Sequence, residues 1–203
     1  MDIIIIFVIL IFSAIVHEVF HGLVAEKLGD DTAREQGRIT LNPIPHIDPF
    51  GSILLPLLLL FAGSPIIFGA AKPVPVNFNN LKPRKLGMAL VALAGPLSNF
   101  ALAIICALLL KSGLANNIAQ PILLEAVILN LVLGVFNLIP IPPLDGSKVL
   151  ASFLPEEWTF ELFKLERWGF FLVLIFLYLG WLGYILYPVI LVFGKIFHLD
   201  FGL

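Results

Sequence analysis

The chain has 203 residues, of which 60% are hydrophobic and 13% charged, with a mean hydropathy of +1.03. That is too apolar for a soluble domain of this length, and it places the chain among integral membrane proteins. A net charge of −2 offers no basic surface to nucleic acid. The single cysteine, Cys106 in ALAIICALLL, cannot form a disulfide within the chain and reads as packing.

A membrane helix needs about 20 apolar residues. Residues 3–25 meet that length. They resemble the apolar part of a signal peptide, but no basic segment precedes them and the run continues into a histidine cluster, so a retained helix is expected. Residues 26–49 carry Lys27, Arg34 and Arg38, and the piece Arg38–Leu41 reads as a short strand ahead of two prolines. Residues 50–71 are apolar but cut by Pro56 and Gly63-Ser64-Pro65 into pieces too short to cross. Broken backbone is tolerated at membrane depth only against protein or a water-filled cavity.

Residues 86–110 and 121–139 are further spans, separated by a link that carries only Lys111. The stretch 166–197 is interrupted by Gly180, Gly183 and Pro188 and fits one tilted span or two shorter passes. If 50–71 crossed once, the basic residues of the connecting segments would divide seven against four. If it dips in and returns, ten lie on one side and one on the other. The positive-inside rule favours the second arrangement. It predicts a re-entrant hairpin at 50–71, an outer N-terminus, and His17–His21 in the cytoplasmic half of the first helix.

The chemistry is concentrated in SAIVHEVFHGLV, residues 13–24. Each charge at the centre of a bilayer helix costs roughly 2.5–3.5 kcal/mol on insertion scales, so such groups mark function. His17 and His21 stand four apart and share one helix face, with Glu18 beside the first. This is the spacing of two metal ligands and a base next to the water that zinc acidifies. The competing reading is a polar helix face bonded to its neighbours. A catalytic zinc wants a third protein ligand, and the acids in apolar surroundings are Glu125 and Asp145. Glu125 follows Pro121 at a helix start, where a carboxylate is structurally favoured. Asp145 ends NLIPIPPLDG (137–146), where three prolines force an irregular backbone that suits a ligand better than a surface turn does.

Three motifs in order, HEVFH (17–21), GPLSN (95–99) and NLIPIPPLDG (137–146), make the chain resemble the site-2 protease family of intramembrane zinc metalloproteases. The resemblance covers about residues 3–150. It implies an all-α polytopic fold with a three-helix catalytic core, a re-entrant insert and additional C-terminal membrane helices at about 160–200, all in one membrane-embedded domain over 1–203. It implies His17, His21 and Asp145 as ligands of one Zn²⁺, Glu18 as the catalytic base, and Asn137 as an oxyanion or substrate-backbone donor. It further implies that Asn99 faces the core and either touches the site or packs helices. His46, before Asp48 in a proline-rich turn, is a candidate second-layer or inhibitory group, or else an interfacial turn cap. With no PDZ or CBS module expected, the pattern is that of the short branch.

The activity implied is hydrolysis of peptide bonds in or near the transmembrane segments of substrate proteins. The alternatives are a metal or proton transporter, and a catalytically silent metal-binding scaffold.

Overall fold

The computed structural model describes residues 3–54, 57, 58, 61 and 71–201, and these contain helices and no strand. Three helices are long and apolar enough to cross a membrane: α1 (Ile3–Lys27), α3 (Arg84–Lys111) and α4 (Ala119–Asn137). Between α1 and α3 lies the four-residue α2 (Thr32–Glu35). After α4 come α5 (Asp145–Phe153), α6 (Glu156–Lys164), α7 (Gly169–Tyr178) and α8 (Trp181–Phe197). This is a multi-pass membrane protein. At 1.5 Å per residue the 25 residues of α1 extend about 38 Å, enough for a hydrocarbon core of about 30 Å.

Helix α3 is the hub, touching α1, α4 and α5. It can do so because its inward face is small: Gly87, Ala89, Ala92, Ala94, Gly95, Ser98, Ala103 and Ala107 are all buried. Small residues let membrane helices approach closely where lipid gives no hydrophobic drive between them. Ala103 and Ala107 meet Val127 and Leu131 of α4 and Ile190 of α8, with Cys106 packed beside them. The outward residues Ile3, Ile4, Val8, Ile11 and Phe12 are exposed, as a lipid-facing surface requires.

The C-terminal stretch is bent by 68° between the helical run 156–178 and α8. Gly180, with φ +70°, absorbs the turn. Trp158, Trp168, Trp181 and Tyr184 are exposed, in keeping with the interfacial positions that aromatic residues favour.

One expectation for residues 26–71 changes. Residues 38–41 are not a strand: the Arg38 side chain turns inward, 6% exposed, and Nη2 donates to the carbonyls of Lys72 (2.7 Å) and Pro73 (3.2 Å). Beyond the turn Pro49–Leu54, the hairpin expected over 50–71 falls largely outside the described residues. The residues flanking that stretch meet, since Lys72 N–H donates to the His46 carbonyl at 2.9 Å.

Helix α1 ends in a Schellman motif. Gly29 takes φ +99°, Asp30 N–H donates to the Ala25 carbonyl and Gly29 N–H to that of Glu26. Asp30 is thereby tucked beneath the surface with no exposed area. Its carboxylate accepts from Thr32 Oγ1 (2.5 Å), Asn77 N (2.7 Å) and Asn80 Nδ2 (2.9 Å), tying the end of α1 to the segment before α3. Burial raises the Asp30 pKa, but these hydrogen bonds outweigh it and leave the carboxyl below its usual 3.8. A depressed folded-state pKa supplies stability above the unfolded value and loses it as pH falls through the folded one. Asp30→Asn is therefore expected to cost about 1–3 kcal/mol at neutral pH. Thermal unfolding of both proteins in micelles should show the difference shrinking below pH 3.8.

Candidate metal centre

His17 and His21 lie one turn apart on the buried face of α1, with rings 4.6 Å apart at 85°. Asp145 opens α5, brought there by the turns of 138–144. Gly146 permits the approach, because a Cβ there would run into the Leu138 carbonyl. An acid in the first turn is also favoured by the helix dipole.

The three side chains converge. Asp145 Oδ2 stands 3.0 Å from His17 Nε2 and 3.2 Å from His21 Nε2, and the two Nε2 atoms are 3.0 Å apart. All three residues are buried. His21 Nδ1–H donates to the Val91 carbonyl and His17 Nδ1–H to Asn99 Oδ1, each at 2.6 Å. With both Nδ1 atoms donating, both Nε2 atoms point lone pairs at a carboxylate oxygen. Such a trio repels itself unless a cation lies between its members. Ligands 2.0–2.1 Å from a tetrahedral ion would stand about 3.3 Å apart, close to the spacing here. Two imidazoles and one carboxylate suit zinc.

Helix α3 supplies the floor of this cradle. Pro96 has no N–H for the Ala92 carbonyl, which stands next to the Val91 carbonyl that meets His21. A Cβ on Gly95 would lie 2.5 Å from Nε2 of both histidines, inside the space an ion needs.

Glu18 is half-buried, and its Oε2 accepts from Val74 N–H at 2.7 Å. It shares with His21, Asp145, Lys148, Val74, Val76 and neighbouring residues a cleft of about 140 Å³. Pro73, Val74 and Val76 of the segment 71–77 form one wall. Pro73 and Pro75 keep that segment from coiling, since each proline disfavours helix at the residue before it. Arg38 holds this wall by its carbonyls and His46 by Lys72.

The remaining sequence candidates divide. Asn99 is fully buried against His17. Asn137 is half-buried at the end of α4, and its amide donates to the Leu133 carbonyl (3.0 Å) rather than lining the cleft. His46 is buried apart from the cluster, where Nε2 donates to the Thr40 carbonyl (2.9 Å). Glu125 is not part of the cluster either.

Sequence reasoning missed Lys148, whose Nζ donates to Asp145 Oδ1 at 3.1 Å. It also missed Asn130 and Ser13, both buried beside Asn99. Two of the three had a signal, though not of their pairing: a lysine three residues after the candidate ligand, and a lone amide inside VILNLVLG.

The profile of peptidase family M50 matches residues 110–179. Three similar proteins carry the name "Putative zinc metalloprotease". YwhC of Bacillus subtilis is 43% identical over 192 residues, 89% of this chain and 83% of that protein. Rip2 of Mycobacterium tuberculosis is 34% identical over 170 residues, and the chain spans 63% of its length. MJ0611 of Methanocaldococcus jannaschii is 34% identical over 145 residues, 68% of its length. No solved structure matches the chain.

Gly95→Ala, which puts a methyl group against both imidazoles, is expected to abolish zinc binding while leaving a folded protein. Metal analysis and circular dichroism of the purified variant check this, and stoichiometric zinc would contradict the cradle.

Proposed function

The chain belongs to peptidase family M50, and from that premise we propose that His17, His21 and Asp145 hold one zinc ion with Glu18 as the base of an intramembrane proteolysis. The observation that carries the assignment is the convergence of three buried lone-pair donors, two from α1 and one from α5, beside a carboxylate in one cleft.

Zinc bound there supplies Lewis acidity, polarising the scissile carbonyl and acidifying the attacking water. Glu18 accepts the proton of that water and returns it to the leaving amine. Its Oε2 is fixed by Val74 N–H, which aims the carboxylate and leaves Oε1 for the proton. Lys148 occupies Asp145 Oδ1, so that a single oxygen faces the imidazoles. Asn137 enters the reaction as an oxyanion donor only by turning its amide from the Leu133 carbonyl when substrate arrives.

The substrate is a protein, and the depth of the site favours one with a transmembrane segment. An intact helix hides its carbonyls in i→i−4 bonds, so the cut segment must unwind. The wall at 74–76 can hold it extended. Val76 N–H has no partner among the described residues, and the two prolines keep the backbone open for pairing. The role expected of residues 38–41 thus passes to this segment, which Arg38 holds in place. The ten basic residues of 26–49, 72–85 and 145–167, against Lys111 alone at the junction of α3 and α4, favour the cytoplasmic half of the membrane for the site. A transporter would string ionisable groups along a path. Apart from Glu125, those in the described spans lie near the ends or gather at His17, Glu18 and His21.

With purified protein and a single-span model substrate in bilayers, Glu18→Gln is expected to keep zinc and lose cleavage by about 10²–10⁴-fold. Undiminished cleavage would refute the mechanism. Val76→Pro, which removes one backbone donor from the wall, should lower cleavage at least severalfold with zinc content unchanged.

A further inference from the structure

The two imidazoles are oriented by different kinds of partner. His21 Nδ1 faces the Val91 carbonyl, which can only accept, so His21 has no choice of tautomer. His17 Nδ1 faces the side-chain amide of Asn99, which can present either oxygen or nitrogen. If that amide were reversed, Nδ1 would have to accept and the proton would move to Nε2, where it would block a metal. What fixes the orientation of Asn99 lies one layer further out.

Asn99 Nδ2 donates to Asn130 Oδ1 at 3.0 Å, with the Ser13 carbonyl a more distant acceptor at 3.4 Å. Asn130 is itself held: its Nδ2 donates to Ser13 Oγ (2.9 Å) and to the Ala126 carbonyl (2.8 Å), so its oxygen must face Asn99. The Ala126 carbonyl can only accept, which anchors the direction of the whole series. Asn99, Asn130 and Ser13 are 0%, 2% and 1% exposed, so neither water nor lipid headgroups compete for these bonds.

We propose that Asn130 is a positioning residue for the metal centre: through Asn99 it fixes His17 in the tautomer whose Nε2 lone pair is free for zinc. The same series ties α1, α3 and α4 together at membrane depth, but a helix tie alone requires no particular hydrogen-bond direction. The proposal rests on the zinc reading above.

The test is zinc affinity, measured by chelator competition on the full-length protein in nanodiscs. Asn130→Leu, close in volume but without an acceptor, should weaken zinc binding about 10–100-fold, the range for lost outer partners of a metal ligand. Asn130→Ser, which stays polar but withdraws the acceptor from Asn99, should show the same loss and serves if the leucine variant does not fold. Adding Asn99→Asp to either variant supplies an acceptor that has no wrong orientation and should restore affinity to within about threefold. Wild-type affinity in the Asn130 variants, or a loss that Asn99→Asp does not recover, would overturn the proposal. His17→Ala separates the two levels. If it leaves zinc binding intact, the zinc assignment fails. If it abolishes binding while the Asn130 variants bind normally, only the positioning role fails.

Discussion

Three lone pairs aimed at one another inside a membrane protein are the constraint on which the rest of this structure depends. In water, imidazoles and carboxylates so close would be hydrated or protonated. At membrane depth each needs a compensating partner, because isolated polar groups there cost several kcal/mol. The fold provides one for every outward-facing atom: the Val91 carbonyl for His21, the Asn99 amide for His17, and Lys148 for the far oxygen of Asp145. Only the inward side is left open, and a divalent cation matches it in charge and size.

Helix α3 makes this arrangement possible by what it lacks. Gly95 has no side chain to fill the cradle, Pro96 has no N–H to occupy a carbonyl beside it, and the alanines along the inner face bring α1 and α4 within reach. The segment between α1 and α3 is held by a separate set of bonds, from Asp30, Arg38, His46 and Glu18. Glu18 stands on α1 next to His17 and bonds the wall through Val74, so the proposed base and the cleft wall are placed by the same contact.

How much of this was legible in the sequence follows from the range of each interaction. The histidine pair and Glu18 are local, and a 3.6-residue period puts both rings on one face of α1 whatever surrounds them. The crossing helices follow from apolar length alone. Asp145 lies 124 residues from His21 and was legible through its motif, since no spacing rule spans that distance. Asn130 and Ser13 stayed hidden because their pairing depends on how three helices rotate about their axes, which nearly uniform hydrophobicity does not encode. Arg38 misled for a related reason: the piece Arg38–Leu41 ahead of two prolines suggested a strand edge, but its side chain is committed to the carbonyls of a segment 34 residues away.

The most direct measurement is X-ray absorption at the zinc edge on the metal-loaded protein in bilayers. The account predicts a first shell of two imidazole nitrogens plus oxygen at about 2.0–2.2 Å, with one oxygen lost or replaced when Asp145 becomes alanine. A shell with fewer than two imidazoles, or one unchanged by Asp145→Ala, would contradict it.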